Sequence, residues 1–377
     1  MRTNVSQSYS IDNQCFIKME NNYIISGIQQ VGIGVKDVYE AWKWYRRYFG
    51  VDVPVFDEEA MANLMLPYTG GQPRARHAVL AMNLQGGGGF EIWKHTQHTP
   101  QYPKFEVMLG DTGIFAVKIK CFNVEKTYNF YKQNNVEILS DIVLNPNRES
   151  HFWIKDPYNN IFQIVESKDW FQKSGKLTGG VYGVLIGTSD IEKDTALFQN
   201  MLQYDKKVYD ETNVFTDFKG LPGGQFPCNR VLLRHSQARL GAFSRLLGST
   251  EIELIQIFDR QPRKIFENRM WGECGFIHLC FDVNGMDNLK NRSNTPEGIN
   301  EGYPFTVDSA NSFDMGEAAG RFAYIENADG TLIEFVETHK IPILKKIGWY
   351  LNVKNRNPEK PLPKWMLQAM GLNRVKD

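Results

Sequence analysis

Three ionisable residues stand inside runs that otherwise read as apolar core. Glu253 lies in Glu251-Ile252-Glu253-Leu254-Ile255-Gln256-Ile257, His278 in Gly275-Phe276-Ile277-His278-Leu279-Cys280-Phe281, and Glu334 in Thr331-Leu332-Ile333-Glu334-Phe335-Val336. His278 follows Glu253 by 25 positions and precedes Glu334 by 56. A carboxylate buried in a strand is costly unless it is paired or bound to a cation. One divalent cation would satisfy all three residues, so Glu253, His278 and Glu334 are expected to converge on a single metal ion. Two carboxylates and one imidazole leave roughly two or three coordination positions open, and the set suits Fe, Mn, Ni, Co, Zn or Mg without choosing among them. Adjacent oxygens of a small-molecule substrate can chelate at the open positions. The metal then acts as a Lewis acid that stabilises an enolate while a neighbouring C–H is deprotonated.

Other residues compete for these roles. Glu337 falls on the opposite strand face from Glu334. Glu251 shares a face with Glu253 but is nearer the strand end, where a solvated position is expected. His95 shares a face with Glu91, and His98 follows shortly. His77, His151, His235 and His339 have no evident partners and read as structural or surface residues. The glycine run 86–89 is followed by neither Lys-Ser/Thr nor a helix start, so it reads as a flexible hairpin connection rather than a phosphate loop.

The elements that must position these side chains recur along the chain. Residues 27–50 read as a strand, an Asp37 N-cap, an amphipathic helix and a terminating Gly50. The pattern returns at 113–136 with Asn123 as cap and at 180–203 with Asp190. It returns more weakly at 275–290, where Gly285 holds the cap position and Asn284 or Asp287 must serve. Each strand–helix unit is followed by further strand-like runs at 77–82 and 90–95, 151–155 and 161–166, 230–234 and 252–258, and 321–326 and 332–336. Turn residues such as Asp156-Pro157-Tyr158-Asn159-Asn160 and Asn327-Ala328-Asp329-Gly330 join some of them. The chain is therefore α+β, with four strand–helix–strands modules. Glu91 to Ala116 and Glu253 to His278 are both separations of 25 residues with corresponding flanks, so modules one and two look like a diverged duplicate of modules three and four. A polar stretch at 167–180 is the linker between halves.

At this level the chain resembles the vicinal oxygen chelate superfamily, which includes glyoxalase I, methylmalonyl-CoA epimerase, fosfomycin-resistance proteins, extradiol dioxygenases and 4-hydroxyphenylpyruvate dioxygenase. The resemblance covers residues 25–340. It implies four βαβββ modules paired into two open curved-sheet cups, with metal ligands on the first and last strand of each module. On that pattern Gln30 takes the first-strand position of module one, and its context resembles the glyoxalase I strand where glutamine is a ligand. Glu91 takes the last-strand position. Ala116 and Gln163 replace the ligands of module two, and Gly183 the first ligand of module three, whereas Glu253, His278 and Glu334 are retained. The run Ala328-Asp329-Gly330-Thr331-Leu332-Ile333-Glu334-Phe335-Val336-Glu337 resembles the family's last-strand motif.

The organisation expected is an N-terminal tail (1–24), an N-terminal pair with a structural or degenerate cup (25–170), a linker (171–179), a C-terminal pair holding metal (180–340) and a basic extension (341–377). Gln30 and Glu91 are read as relics, with a separate site of Gln30, Glu91 and His95 as the rival. The function implied is a divalent-metal-dependent isomerase, epimerase or lyase of the glyoxalase type, with Glu253 or Glu334 as base. The first alternative is an Fe(II) dioxygenase of the extradiol or 4-hydroxyphenylpyruvate type. Such enzymes use two histidines and a carboxylate, so with Gly183 in place of a histidine, and Tyr182 on the opposite face, a displaced His235 would have to serve. The second alternative is a metal-free binding protein for an aromatic compound, which the 8 Trp, 16 Tyr and 24 Phe would suit.

At 377 residues with 42% hydrophobic side chains, the chain can bury two sizeable cores. A formal net charge of zero gives no general attraction to nucleic acid, and no apolar run is long enough to span a bilayer. The first 24 residues do not read as a secretory signal, and Met19 is an alternative start. Five cysteines (Cys15, Cys121, Cys228, Cys274, Cys280) without a CxxC pair fit reduced thiols and a cytoplasmic setting. Each half can complete its own cup, so monomer and homodimer are both compatible. Beyond Lys340 the chain carries eight Lys/Arg against two acids. It is expected to pack across a cup or the other half with a solvated basic face, in preference to binding a membrane surface.

Overall fold

The computed structural model of the protein describes residues 22–294, 302–310, 313–314, 319–344 and 347–376. Most of the expected N-terminal tail, including Met19 and Cys15, lies outside the described residues.

Module one comprises β1 (Ile24–Gly34), α1 (Val38–Phe49), β2 (Val53–Met61), β3 (Ala75–Met82) and β4 (Gly89–His95). Module two comprises β5 (Gly113–Cys121), α2 (Val124–Gln133), the short strands β6 (Glu137–Ile138) and β7 (Val143–Leu144), β8 (Ser150–Lys155) and β9 (Ile161–Glu166). Module three comprises β10 (Thr178–Gly187), α3 (Ile191–Asn200), β11 (Lys206–Asn213), β12 (Cys228–Arg234), α4 (Ser244–Leu247) and β13 (Glu251–Ile257). Module four comprises β14 (Gly275–Asn284), α5 (Met286–Asn294), β15 (Val307–Asp308), β16 (Phe313–Asp314), β17 (Ala319–Glu326) and β18 (Leu332–Leu344). A C-terminal segment adds β19 (Trp349–Asn352) and α6 (Lys364–Ala369).

The caps behave as their chemistry dictates. Asp37 accepts from the Glu40 amide at 2.9 Å, Asn123 from Lys126 at 2.8 Å and Asp190 from Lys193 at 3.0 Å. Gly50 closes α1 with φ 62°, a left-handed conformation that suits glycine.

The strands form two curled sheets, and their composition differs from the expected pairing. The first runs β15-β17-β18-β14-β1-β4-β3-β2 and joins module one to module four. The second runs β11-β12-β13-β10-β5-β9-β8-β6 and joins module two to module three. The seam of the first sheet is antiparallel β1–β14, with Gly32 opposite His278 and Gln30 opposite Cys280. The seam of the second is β5–β10. The recurring separation of 25 residues therefore measures the passage from a last strand in one sheet to a first strand in the other. It carries no information about which strands pair.

Alternation then assigns the faces. Val31, Ile33, Phe90, Ile92, Leu279, Phe281, Ile333 and Phe335 of the first sheet enter one continuous core. The same core takes Val117, Ile119, Phe162, Ile164, Val184, Ile186, Ile252 and Leu254 of the second sheet, together with the buried sides of α1, α2 and α3. The residues between these positions face the two cups. The glycine run at 86–88 is a seam between sheets rather than a flexible connection. Gly88 and Val181 exchange backbone hydrogen bonds at 2.9 and 2.8 Å. A Cβ on Gly87 would come within 2.8 Å of the Gly180 and Val181 backbone.

The C-terminal segment packs across the first cup. Val353, Leu362, Leu367 and Met370 are buried in one cluster with Leu80, Trp93, Trp271 and Tyr324, while Lys354, Arg356, Lys360 and Lys364 remain exposed. Arg374 holds Asp52 at 2.9 Å. Among the described residues no helix is long and apolar enough to cross a membrane.

Candidate metal centre

The four central strands of the first sheet, β18-β14-β1-β4, each present one donor residue to the cup: Glu334, His278, Gln30 and Glu91. His278 Nε2 lies 3.1 Å from Glu334 Oε2 and 3.4 Å from Glu91 Oε2. Gln30 Nε2 donates to Glu334 Oε2 at 3.4 Å. One donor atom from each of Glu91, His278 and Glu334 lies within 4.8 Å of the others.

The room for this cluster is written into β1. Gly32 sits directly opposite His278, and a Cβ there would stand 2.6 to 2.9 Å from three atoms of the imidazole. Tyr324 Oη lies 3.5 Å from His278 Nδ1 on the far side, and Trp271 stacks over the ring at 6.4 Å.

The electrostatics are those of a buried anionic nest. Burial disfavours the imidazolium, but Glu334 and then Glu91 outweigh it and push His278 up to about 9. Burial works against the Glu334 carboxylate, yet His278 holds its pKa below the ordinary value. Within the cluster Gln30 Oε1 is buried with no hydrogen-bond partner, and His278 Nε2 sits between the two carboxylates. An amide oxygen without a partner and a ring nitrogen between two carboxylates form a mixed N/O donor set for a divalent ion. Gln30, Glu91, His278 and Glu334 fit such an ion.

Of the three residues expected to converge, the fold brings together His278 and Glu334 and leaves Glu253 out. Glu253 is on β13 in the second sheet, fully buried, and its negative charge is met by protein cations. Arg230 Nε donates to Glu253 Oε1 and Lys118 Nζ stands 2.7 Å from Oε2. Tyr209 donates at 2.7 Å. Arg230 also binds Asp217 at 2.8 Å, and Lys118 binds Glu251 at 2.5 Å. Burial alone would raise the Glu253 pKa, but Arg230 and Lys118 hold it far below the ordinary carboxylate value. Glu253 is thus neither a ligand of the first cup nor a base for it. The expected solvation of Glu251 is also corrected, because it is 1% exposed and bound by Lys118 and Arg234.

Gln30 and Glu91, read as relics from the sequence, are at the centre instead. The signal was present in the pattern of losses. Modules two and three together keep only Glu253 of their four positions, whereas modules one and four keep all of theirs. The rival set with His95 does not form. His95 Nε2 lies 2.9 Å from the Trp271 carbonyl, and burial followed by His98 pushes its pKa down to about 4. His98 pairs with Glu273 at 2.8 Å. His235 does not approach the centre either. Its Nδ1 lies 2.6 Å from the Gln203 carbonyl and its ring lies over Tyr204 at 3.9 Å.

No protein-family profile and no curated protein matches the chain by sequence. Solved structures do match. A single-site mutant of glyoxalase I from Zea mays aligns at TM-score 0.51 and 11% identity, over 82% of this chain and 92% of that one. A Bacillus subtilis protein carrying a provisional dioxygenase description aligns at TM-score 0.50 and 12% identity, over 83% and 86%. At these identities the likeness is one of fold: the chain shares the curled-sheet fold of these two solved structures.

Proposed function

We propose that the protein is a divalent-metal-dependent enzyme of the glyoxalase type, an isomerase, epimerase or lyase, whose active site is the cup of the first sheet. The observation that supports this most is the donor set itself, with one residue from each of four adjacent strands and the Gln30 amide oxygen buried without a partner beside two carboxylates and an imidazole. Gln30, Glu91, His278 and Glu334 would hold the ion. When bound, it supplies Lewis acidity to two adjacent substrate oxygens and so acidifies the neighbouring C–H.

The chain's own residues do the rest. Glu334 accepts the carbon-bound proton at its carboxylate oxygen. The same oxygen returns the proton to the adjacent carbon in an isomerase, or the opposite wall of the cup supplies one in an epimerase. Glu91 faces Glu334 across the cluster and occupies that wall. Tyr324 and Trp271 fix the imidazole plane, and the C-terminal segment, through Met370, closes one side of the cavity against water.

The dioxygenase reading is less well supported, because the centre has one imidazole where that chemistry uses two. The second cup, with Lys118 and Arg230 filling the place of a cation, is read as structural.

The test is metal content by mass spectrometry on native protein and on His278→Ala and Glu334→Gln, purified without chelator. About one equivalent in the native chain, lost in His278→Ala and largely kept in Glu334→Gln, is expected. A native protein that neither carries nor takes up a divalent ion would refute the reading.

A further inference from the structure

The cavity above the donor set is about 460 Å³, and its walls specify the rest of the substrate. At its floor are Gln30, Glu91 and Glu334. Above them the lining is mainly apolar, with Phe56, Met65, Leu80, Leu246, Leu247 and Trp271 each less than a tenth exposed, and its polar members are Gln29, Glu58, Asn63, Arg76 and Thr338. The apolar lining continues to the surface, where Met61 is 45% and Leu64 46% exposed. Arg76 is the single cation among the described lining residues, and it is engaged with Glu58 through the backbone carbonyl at 3.4 Å and the carboxylate at 3.7 Å. A negatively charged tail would find no available positive partner and would be desolvated against carbon.

We infer that the substrate is amphiphilic, with a small head bearing two adjacent oxygens and an uncharged, extended apolar tail, alkyl or aryl, that lies along the wall from Trp271 to Leu64. This rests on the proposed metal centre for the head group and goes beyond it for the tail. Apolar walls in a pocket with few convergent polar groups recognise shape and carbon area. Two exposed apolar side chains at a cavity mouth extend that surface outward, so the tail need not end inside the cavity. Conjugates that present carboxylates or phosphates beyond the head are disfavoured on the same ground.

The experiment uses hydroxamates, whose two adjacent oxygens supply the chelating head, titrated by calorimetry into the full chain loaded with Zn or Ni. Octanohydroxamate should bind at least about 100-fold more tightly than acetohydroxamate, since each buried methylene contributes about 0.8 kcal/mol. Succinohydroxamate, with its terminal carboxylate, should bind no better than acetohydroxamate. Leu64→Asp, a mouth residue outside the donor set, should weaken octanohydroxamate about tenfold and leave acetohydroxamate unchanged. Equal affinity for the long and short hydroxamates, or tight binding of the succinyl compound, would overturn the tail assignment while leaving the metal centre standing. Unchanged octanohydroxamate binding in Leu64→Asp would overturn the path along this wall. If no hydroxamate binds the metal-loaded chain, the metal centre itself fails and the inference falls with it.

Discussion

A single hydrogen in place of a methyl decides whether the imidazole can sit at the centre. Gly32 lies on β1 between Glu91 on one neighbouring strand and His278 on the other. The atoms that its Cβ would strike belong to a buried ring with Trp271 and Tyr324 against it. The ring cannot swing aside without losing its place among the carboxylates. Gly32→Ala is therefore expected to lower metal affinity by at least about tenfold while the fold is kept, and metal titration with a competing chelator would measure it. Glu253 provides the opposite contrast. It carries a buried charge that Arg230 and Lys118 match, and removing one partner of such a group strands the others. Glu253→Gln should cost about 3 kcal/mol in denaturant unfolding and leave the metal content at its native value. A loss of metal in Glu253→Gln would return that residue to the centre from which the fold separates it.

The modules were legible because their punctuation is local. Asp37, Asn123 and Asp190 cap their helices, and the alternation of Glu91 with Phe90 and Ile92 reports which face of a strand turns to the cup. The partner of each strand was not legible, because alternation fixes the face of a strand and says nothing about its neighbour. His278 was found as an anomaly in an apolar run, yet its true companions, Gln30 and Glu91, lay almost 250 and 190 residues away. What the sequence order did preserve is the docking of helices on turns. Tyr45 of α1 donates to Asp156 in the β8–β9 turn at 2.7 Å, so module one touches module two. Asn327 of the β17–β18 turn donates to Asp194 of α3 at 2.7 Å, so module four touches module three. Modules one and two, and modules three and four, thus meet where a helix docks on a turn, while the sheets of each such pair belong to different cups. Asp156 accepts further bonds from the Tyr158 and Asn160 amides at 2.9 and 2.8 Å, but burial dominates and pushes its pKa up to about 6. The folded chain therefore holds this proton to higher pH than the unfolded chain. The contribution is fully present below pH ~4 and is lost as pH rises toward 6, by up to about 3 kcal/mol. Asp156→Asn, which copies the chemistry already used at Asn327, should remove that slope. Urea unfolding of both proteins at pH 4 and pH 7 would show it as a change in their stability difference.

The whole molecule is a closed circuit, because its first and last modules share one sheet. Consider the chain divided in the polar stretch at 171–179. The N-terminal fragment would retain α1, α2 and the strands of modules one and two. However, β1 would lose β14 and present an open edge through the middle of its sheet, and β5 would lose β10 in the same way. Gln30 and Glu91 would remain without His278 and Glu334, two donors where four are needed. Residues 22–170 alone are therefore expected to show no cooperative thermal transition and no metal uptake. A folded domain over that range would require β1 and β5 to pair with each other, as consecutive modules do where each half forms its own cup. Mixing the two fragments should restore both sheets together and, with them, about one equivalent of bound metal per reconstituted pair. The two readouts must return as one, since the β1–β14 seam that completes the first sheet is also the line on which Gln30 and His278 meet. A fragment that folds cooperatively alone, or a mixture that regains helix and strand content without metal, would show that the sheets do not close across the ends of the chain.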